Sequence, residues 1–173
     1  DLILTHRPND YHPDHRYTSQ LVQDCSFLVG VPNICPEARP LRTSPMIAYF
    51  ADDFQKPLPF KPDVAVDIGA VIYKKTQMLH CHESQVYEWL PWVGQLEGEI
   101  SEDPAERQEQ LKRFVLQYSE VGYEARALLV NTYGELRGNK VEHAETFEGC
   151  EYGAPLTAEA IKRLFPFLPQ KDS

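Results

Sequence analysis

The chain contains no CxxC pair: Cys25, Cys35, Cys81 and Cys150 stand far apart, which excludes a zinc ribbon or finger built on paired thiolates. Four scattered cysteines in 173 residues read as reduced, partly buried thiols of a cytoplasmic protein rather than as a disulfide framework. Long apolar runs are also missing, and none approaches the roughly 20 residues a membrane helix needs. Cations are scarce. Lys and Arg number 17 against 26 Asp and Glu, for a net charge of -9. Such a field repels phosphate backbones and anionic lipid, and no Lys/Arg patch offsets it, so neither nucleic acid nor a membrane is expected as partner. Repeats, low-complexity segments and a signal peptide are absent too. The first residue is Asp1 and DLILT reads as a strand already under way, so the chain is expected to be the later part of a longer protein.

What is present suits a folded domain: 42% of residues are hydrophobic and 25% charged. Leu2 to Thr5 has the apolar character of a buried parallel strand. The turn formers Pro8, Asn9 and Asp10 follow, and a helix is expected from Pro13 to Gly30, with Tyr17, Leu21, Phe27 and Leu28 facing inward. Met46 to Phe50 and Asp63 to Ile68 read as two more strands, joined by a loop and therefore antiparallel or linked by a short irregular crossover. Ala70 to Val86 fits a helix, and the aromatic and acidic stretch after it a surface loop. The spacing of Leu111, Phe114, Val115, Tyr118, Ala125 and Leu129 predicts one long helix from Pro104 to about Tyr133, bent at Gly122. A short strand at His143 to Phe147 and a helix from the N-cap Thr157 to Leu164 complete the pattern. The fold class is α/β.

The densest chemistry lies in THRPNDYHPDHR, Thr5 to Arg16, which holds three of the six histidines. It stands where a strand end feeds a helix N-terminus, the position at which open α/β sheets bind ligands. His15, in the first helical turn, can turn its ring back toward the strand ends and ligate a metal. Asp14 can accept a hydrogen bond from a neighbouring imidazole and so set its tautomer. Spacing alone also allows a solvated turn. Of the other histidines, His80 and His82 flank Cys81 while His6 and His143 stand apart, and none is spaced from His12 and His15 so as to complete a metal site by pattern alone.

RPNDYHPDHR resembles the second signature of the LmbE-like, or PIG-L-like, N-acetylglucosaminyl deacetylases, zinc-dependent hydrolases that remove an acetyl group from an N-acetylated sugar or related amide. Lys75, His82, Ser84 and Gln85 in KTQMLHCHESQ are similar to the family's K-x6-H-x-S-Q element. HAETF, His143 to Phe147, resembles its near-terminal acidic strand, with Glu145 at the acidic position. Together these span most of the chain.

The resemblance implies a Rossmann-like three-layer sheet with helices on both faces, of which residues 1–173 are the C-terminal portion. It implies that His15 ligates zinc, and that His12, oriented by Asp14, steadies the tetrahedral intermediate or protonates the leaving amine. Arg7, Asp10 and His82 are the residues expected near substrate, with bracing of the loop as the alternative for Arg7 and Asp10. Zinc is the expected cofactor, and iron or cobalt suits the same ligands. A small N-acetylated sugar or glycoconjugate is the expected partner, and a homo-oligomer stays open. The family's first signature, AHPDD, which supplies two zinc ligands and the general base, stands nowhere in the sequence. With one expected ligand of three, the chain alone is expected to hold zinc weakly and to be inactive. The alternative is an inert relative that binds a carbohydrate or a protein through the same cleft.

Taken from the residues alone, Lys75 reads as a snorkelling or salt-bridged lysine, Glu145 as structural or loop-anchoring and His82 as a packed or half-exposed helix residue. Trp89 and Trp92 read as a hydrophobic plug or interface rather than a sugar platform.

Overall fold

A computed structural model describes residues 1–169. It is mixed α/β, with four strands and seven helices among the described residues. Its contacts fall into two compact units. One comprises residues 1–66, 123–139 and 146 onward, the other residues 67–122 and 140–145. Among the described residues, no helix is long and apolar enough to cross a membrane. The four cysteines form no disulfide; Cys150 is buried and the other three are exposed.

The first unit is built on the sheet. Strands β1 (Leu2–Thr5), β2 (Met46–Phe50), β3 (Val64–Asp67) and β4 (Ala144–Gly149) lie in the order β1-β2-β4-β3. β1 and β2 run parallel, with Thr5 opposite Tyr49, whereas β4 runs antiparallel to β2, with Phe50 opposite Phe147. Of the two expected arrangements for β2 and β3, direct antiparallel pairing is not the one found: β4 lies between them, and the chain crosses over from β2 to β3. The reason is visible in β2, where Met46, Ile47 and Ala48 are almost wholly buried, as in a central strand that needs a neighbour on each edge. Ala48, Val64 and Phe147 form a core with Phe165 and Leu168, extended by Ile161 and Leu164 of helix α7 (Ala158–Leu164). Each buried Phe contributes on the order of 1.5–3 kcal/mol.

Helix α1 (Pro13–Leu28) starts where the proline places it, and ends two residues before Gly30. Its inward face is the reverse of the expected one. Tyr17, Leu21 and Phe27 are 70, 64 and 77% exposed and Leu28 is also exposed, while Ser19, Gln23 and Ser26 are buried. What the helix meets explains this. Gln23 Nε2 donates to Ser19 Oγ and to Tyr49 Oη, both at 3.1 Å, and Tyr49 Oη donates to the Cys150 thiol at 2.9 Å. A half-buried phenol and a buried amide need partners, so polar side chains face in. Burial, then the bond to Cys150, pushes the Tyr49 pKa far above its ordinary value. Helices α5 (Tyr123–Tyr133) and α6 (Glu135–Gly138) also belong to this unit. Gly134, at φ +82°, makes the turn between them. Gly138 lies so close to the backbone of Leu129 and Val130 that no side chain fits there.

The second unit is helical. α2 (Ile72–His80) packs on α4 (Pro104–Gln117), with a core of Val86, Leu111 and Val115 joined by Ile72, Leu79 and Tyr87. Asp103 caps α4, its Oδ1 accepting from the N–H groups of Ala105 and Glu106. Three expectations change here. The helix expected to reach Val86 stops at His80, and the chain turns at Cys81 and His82. The expected surface loop is partly helical, with one wide π-type turn over Ser84–Trp89 followed by α3 (Leu90–Val93). The long helix from Pro104 splits between Gln117 and Tyr123, because Ser119 and Glu120 use their backbones elsewhere: Ser119 C=O accepts from Ala144 N at 2.9 Å, and Glu120 bridges to His143.

Candidate metal centre

β1 ends at Thr5, and the turn from His6 to His12 carries the chain to α1. Asp10, only 7% exposed, organises this turn. Its Oδ1 accepts the backbone N–H of His12 at 2.8 Å and lies 2.9 Å from His15 Nδ1. Its Oδ2 is 3.9 Å from His6 Nδ1. Arg16 Nη1 donates to the carbonyls of Asp10 and Tyr11, both at 2.9 Å, and ties the turn to the first helical turns. The rings of His6 and His15 stack, with centroids 3.9 Å apart and planes 5° from parallel, and Tyr11 stands edge-on to His15.

The result is a cluster in which one donor atom from each of His6, Asp10 and His15 lies within 4.8 Å of the other two. Two imidazoles and a carboxylate form the donor set of a three-ligand divalent site with a position left for solvent or substrate. These residues can hold a metal ion. The geometry gives Asp10 two ways to serve it: as a direct ligand, or as the carboxylate on Nδ1 of His15, which leaves Nε2 on the far side of the ring to ligate. Burial, and then the neighbouring His15, lowers the His6 pKa, while Asp10 opposes this. The neutral imidazole, the form that ligates, is thereby favoured.

His6 escaped the reading by spacing, since it forms no HxH pair. Its signal is positional: it is the first residue beyond the C-terminal end of a parallel strand. His15 was expected to be a solitary ligand of this chain, and the fold brings two further donors to it.

His12 is the N-cap of α1, its Nδ1 accepting the backbone N–H of Asp14 at 3.2 Å. An accepting Nδ1 leaves the ring proton on Nε2. The ring is half exposed, its centroid 5.0 Å from that of His15. Asp14 meets His12 through this backbone N–H. Its carboxylate is 4.0 Å from His12 Nδ1 and 86% exposed, so it makes no orienting hydrogen bond. The carboxylate that does engage an imidazole is Asp10.

Arg7 braces the turn. It is 4% exposed, and its guanidinium donates to Asp52 Oδ1 at 3.0 Å and to the carbonyls of Phe54 and Leu58 at 3.2 and 2.8 Å. Its Nε forms an ion pair with Glu148 Oε2 at 3.2 Å. Asn9 adds bonds to the carbonyls of Lys56 and Leu58, so the turn bearing the donors is stitched to residues 52–58. Burial raises the Glu148 pKa, and Arg7 only partly offsets this.

The remaining candidates lie in the second unit. Lys75 Nζ is 2.9 Å from Glu145 Oε1 and donates to Ser119 Oγ at 3.3 Å, so two of the residues carrying the resemblance form an ion pair. His82 is exposed and lines a hollow with them. Trp89 and Trp92 stack at 5.3 Å and are both more than half exposed.

No family model matches the chain. Its fold is similar to the crystal structure of GalB, the 4-carboxy-2-hydroxymuconate hydratase from Pseudomonas putida KT2440. The TM-score is 0.51 at 19% identity, over 86% of this chain and 51% of that one. The chain thus spans about half the length of that structure, and the likeness is one of α/β fold.

Proposed function

We propose that this chain is the C-terminal part of a Rossmann-like, three-layer domain of the LmbE-like kind, a cytoplasmic metal-dependent hydrolase that removes an acetyl group from an N-acetylated sugar or similar amide. The observation that carries the reading is the His6, Asp10 and His15 donor cluster at the strand end. Zinc is the metal such donors suit first. Bound there, it supplies a Lewis acid and a water that ionises near neutrality. His15 holds the ion and Asp10 fixes the His15 ring. His12, with its proton on Nε2 beside the cluster, donates to the developing oxyanion or to the leaving amine. The second reading is an inert relative that binds a carbohydrate or protein partner through the same turn; it is favoured if the complete protein carries no AHPDD motif.

Zinc content after dialysis, measured together with amine release from N-acetylglucosamine, tests the proposal on the full-length protein and its His15→Ala and His12→Ala variants. His15→Ala is expected to lose the metal. His12→Ala is expected to keep it and to release amine at least about 100-fold more slowly. Equal zinc in the His15→Ala variant would overturn the metal assignment. A zinc-loaded protein that releases no amine would leave only the binding reading.

A further inference from the structure

The second unit carries a hollow of about 450 Å³ that the proposed hydrolase chemistry does not use. Its walls are mainly apolar, from Ile68, Val71, Met78 and Leu79. Along the sequence Val71, Lys74, Lys75, Met78, Leu79 and His82 recur at the 3-4 spacing of one helical face, that of α2 and its flanks. Val71 and Met78 remain 50 and 62% exposed, so apolar surface stays open to whatever enters.

The polar groups on this hollow carry a sign of their own. In a chain of net charge -9, three of the eight residues lining it are basic: Lys74, Lys75 and His82. The one acid, Glu145, is already matched by Lys75 at 2.9 Å. The side chains of Lys74 and His82 make no hydrogen bond or ion pair among the described residues. An ammonium and an imidazole beside uncovered apolar walls suit a ligand with an anionic head and an apolar body. A cavity of this size accommodates a small molecule, and a few convergent polar groups on apolar walls are the usual make-up of such sites.

We infer that this hollow binds a small carboxylate with an apolar body, its carboxylate set between Lys74 and His82 and its apolar part against Val71 and Met78. A sugar amide has neither the charge nor the apolar body, so this ligand differs in class from the proposed substrate of the histidine cluster.

The test is a titration of the isotope-labelled protein followed by amide NMR, with octanoate, octylamine and N-acetylglucosamine as probes, each below its micellar concentration. Octanoate is expected to give saturable shifts centred on residues 68–82 and 145. Octylamine and the sugar are expected to leave them in place. Lys74→Glu, a charge reversal at an exposed position, should weaken octanoate at least 10-fold, whereas Lys112→Glu on α4 should not. Absence of octanoate shifts, equal shifts with octylamine, or unchanged affinity in Lys74→Glu would each overturn the inference. His82→Glu provides a second variant with the same expected loss, which keeps the test valid if Lys74→Glu fails to fold.

Discussion

Asp10 Oδ1 lies 2.9 Å from His15 Nδ1 and accepts the backbone N–H of His12 as well. One buried carboxylate therefore both starts helix α1 and sets the ring that the site depends on. The two tasks respond differently to charge. An amide oxygen can still accept from His12 N, but it neither ligates a divalent ion strongly nor raises the basicity of His15.

Asp10→Asn is therefore expected to retain its helical circular dichroism and to bind zinc about 10–100-fold more weakly in a chelator competition. Unchanged zinc affinity would show that Asp10 neither ligates nor orients.

Arg7 leads to a stability prediction. Its guanidinium is buried between Asp52 and Glu148 and also holds two carbonyls of the loop. Arg7→Met leaves those acids near one another without a cation, and removing one partner of a buried pair costs about 3–5 kcal/mol. Urea unfolding should show this as a lower midpoint. A variant within about 1 kcal/mol of the wild type would mean that the Arg7 contacts add little to stability.

Helix α1 gives the third prediction, opposite to the one its sequence suggests. Leu21→Ser and Phe27→Ser alter exposed side chains and should change stability by no more than about 0.5 kcal/mol. Gln23→Leu, the change that hydropathy would favour, removes the donor to Tyr49 Oη and should cost about 1–3 kcal/mol. Thermal unfolding of the three variants side by side decides between the two faces.

These cases mark what the sequence reveals. Apolar runs placed β1, β2 and β3, and Pro13 and Thr157 announced two helix starts, because each signal is local. The inward face of α1 was hidden because Tyr49, on β2, and Cys150, just past β4, which demand polar partners there, are distant in sequence. The break after Gln117 was hidden for the same reason: residues 143 and 144 claim the backbone of Ser119 and Glu120. At the site, the local motif showed His12 and His15. His6 and Asp10 joined them only through the path of the turn, which spacing does not encode. Arg7 stands between these cases, since its place in the motif was visible but its burial was not.

The split of the predicted long helix has a consequence for the wiring of the molecule. α4 belongs to one compact unit and α5 to the other, so the Tyr118 to Gly122 break carries the chain across the boundary, as do the steps at 66–67, 139–140 and 145–146. The histidine unit is assembled from three separate stretches and its companion from two. Residues 67–122 are thus an insert with both ends rooted in the same unit. Cutting the backbone within them leaves every piece of the histidine unit continuous, whereas no single cut releases either unit whole.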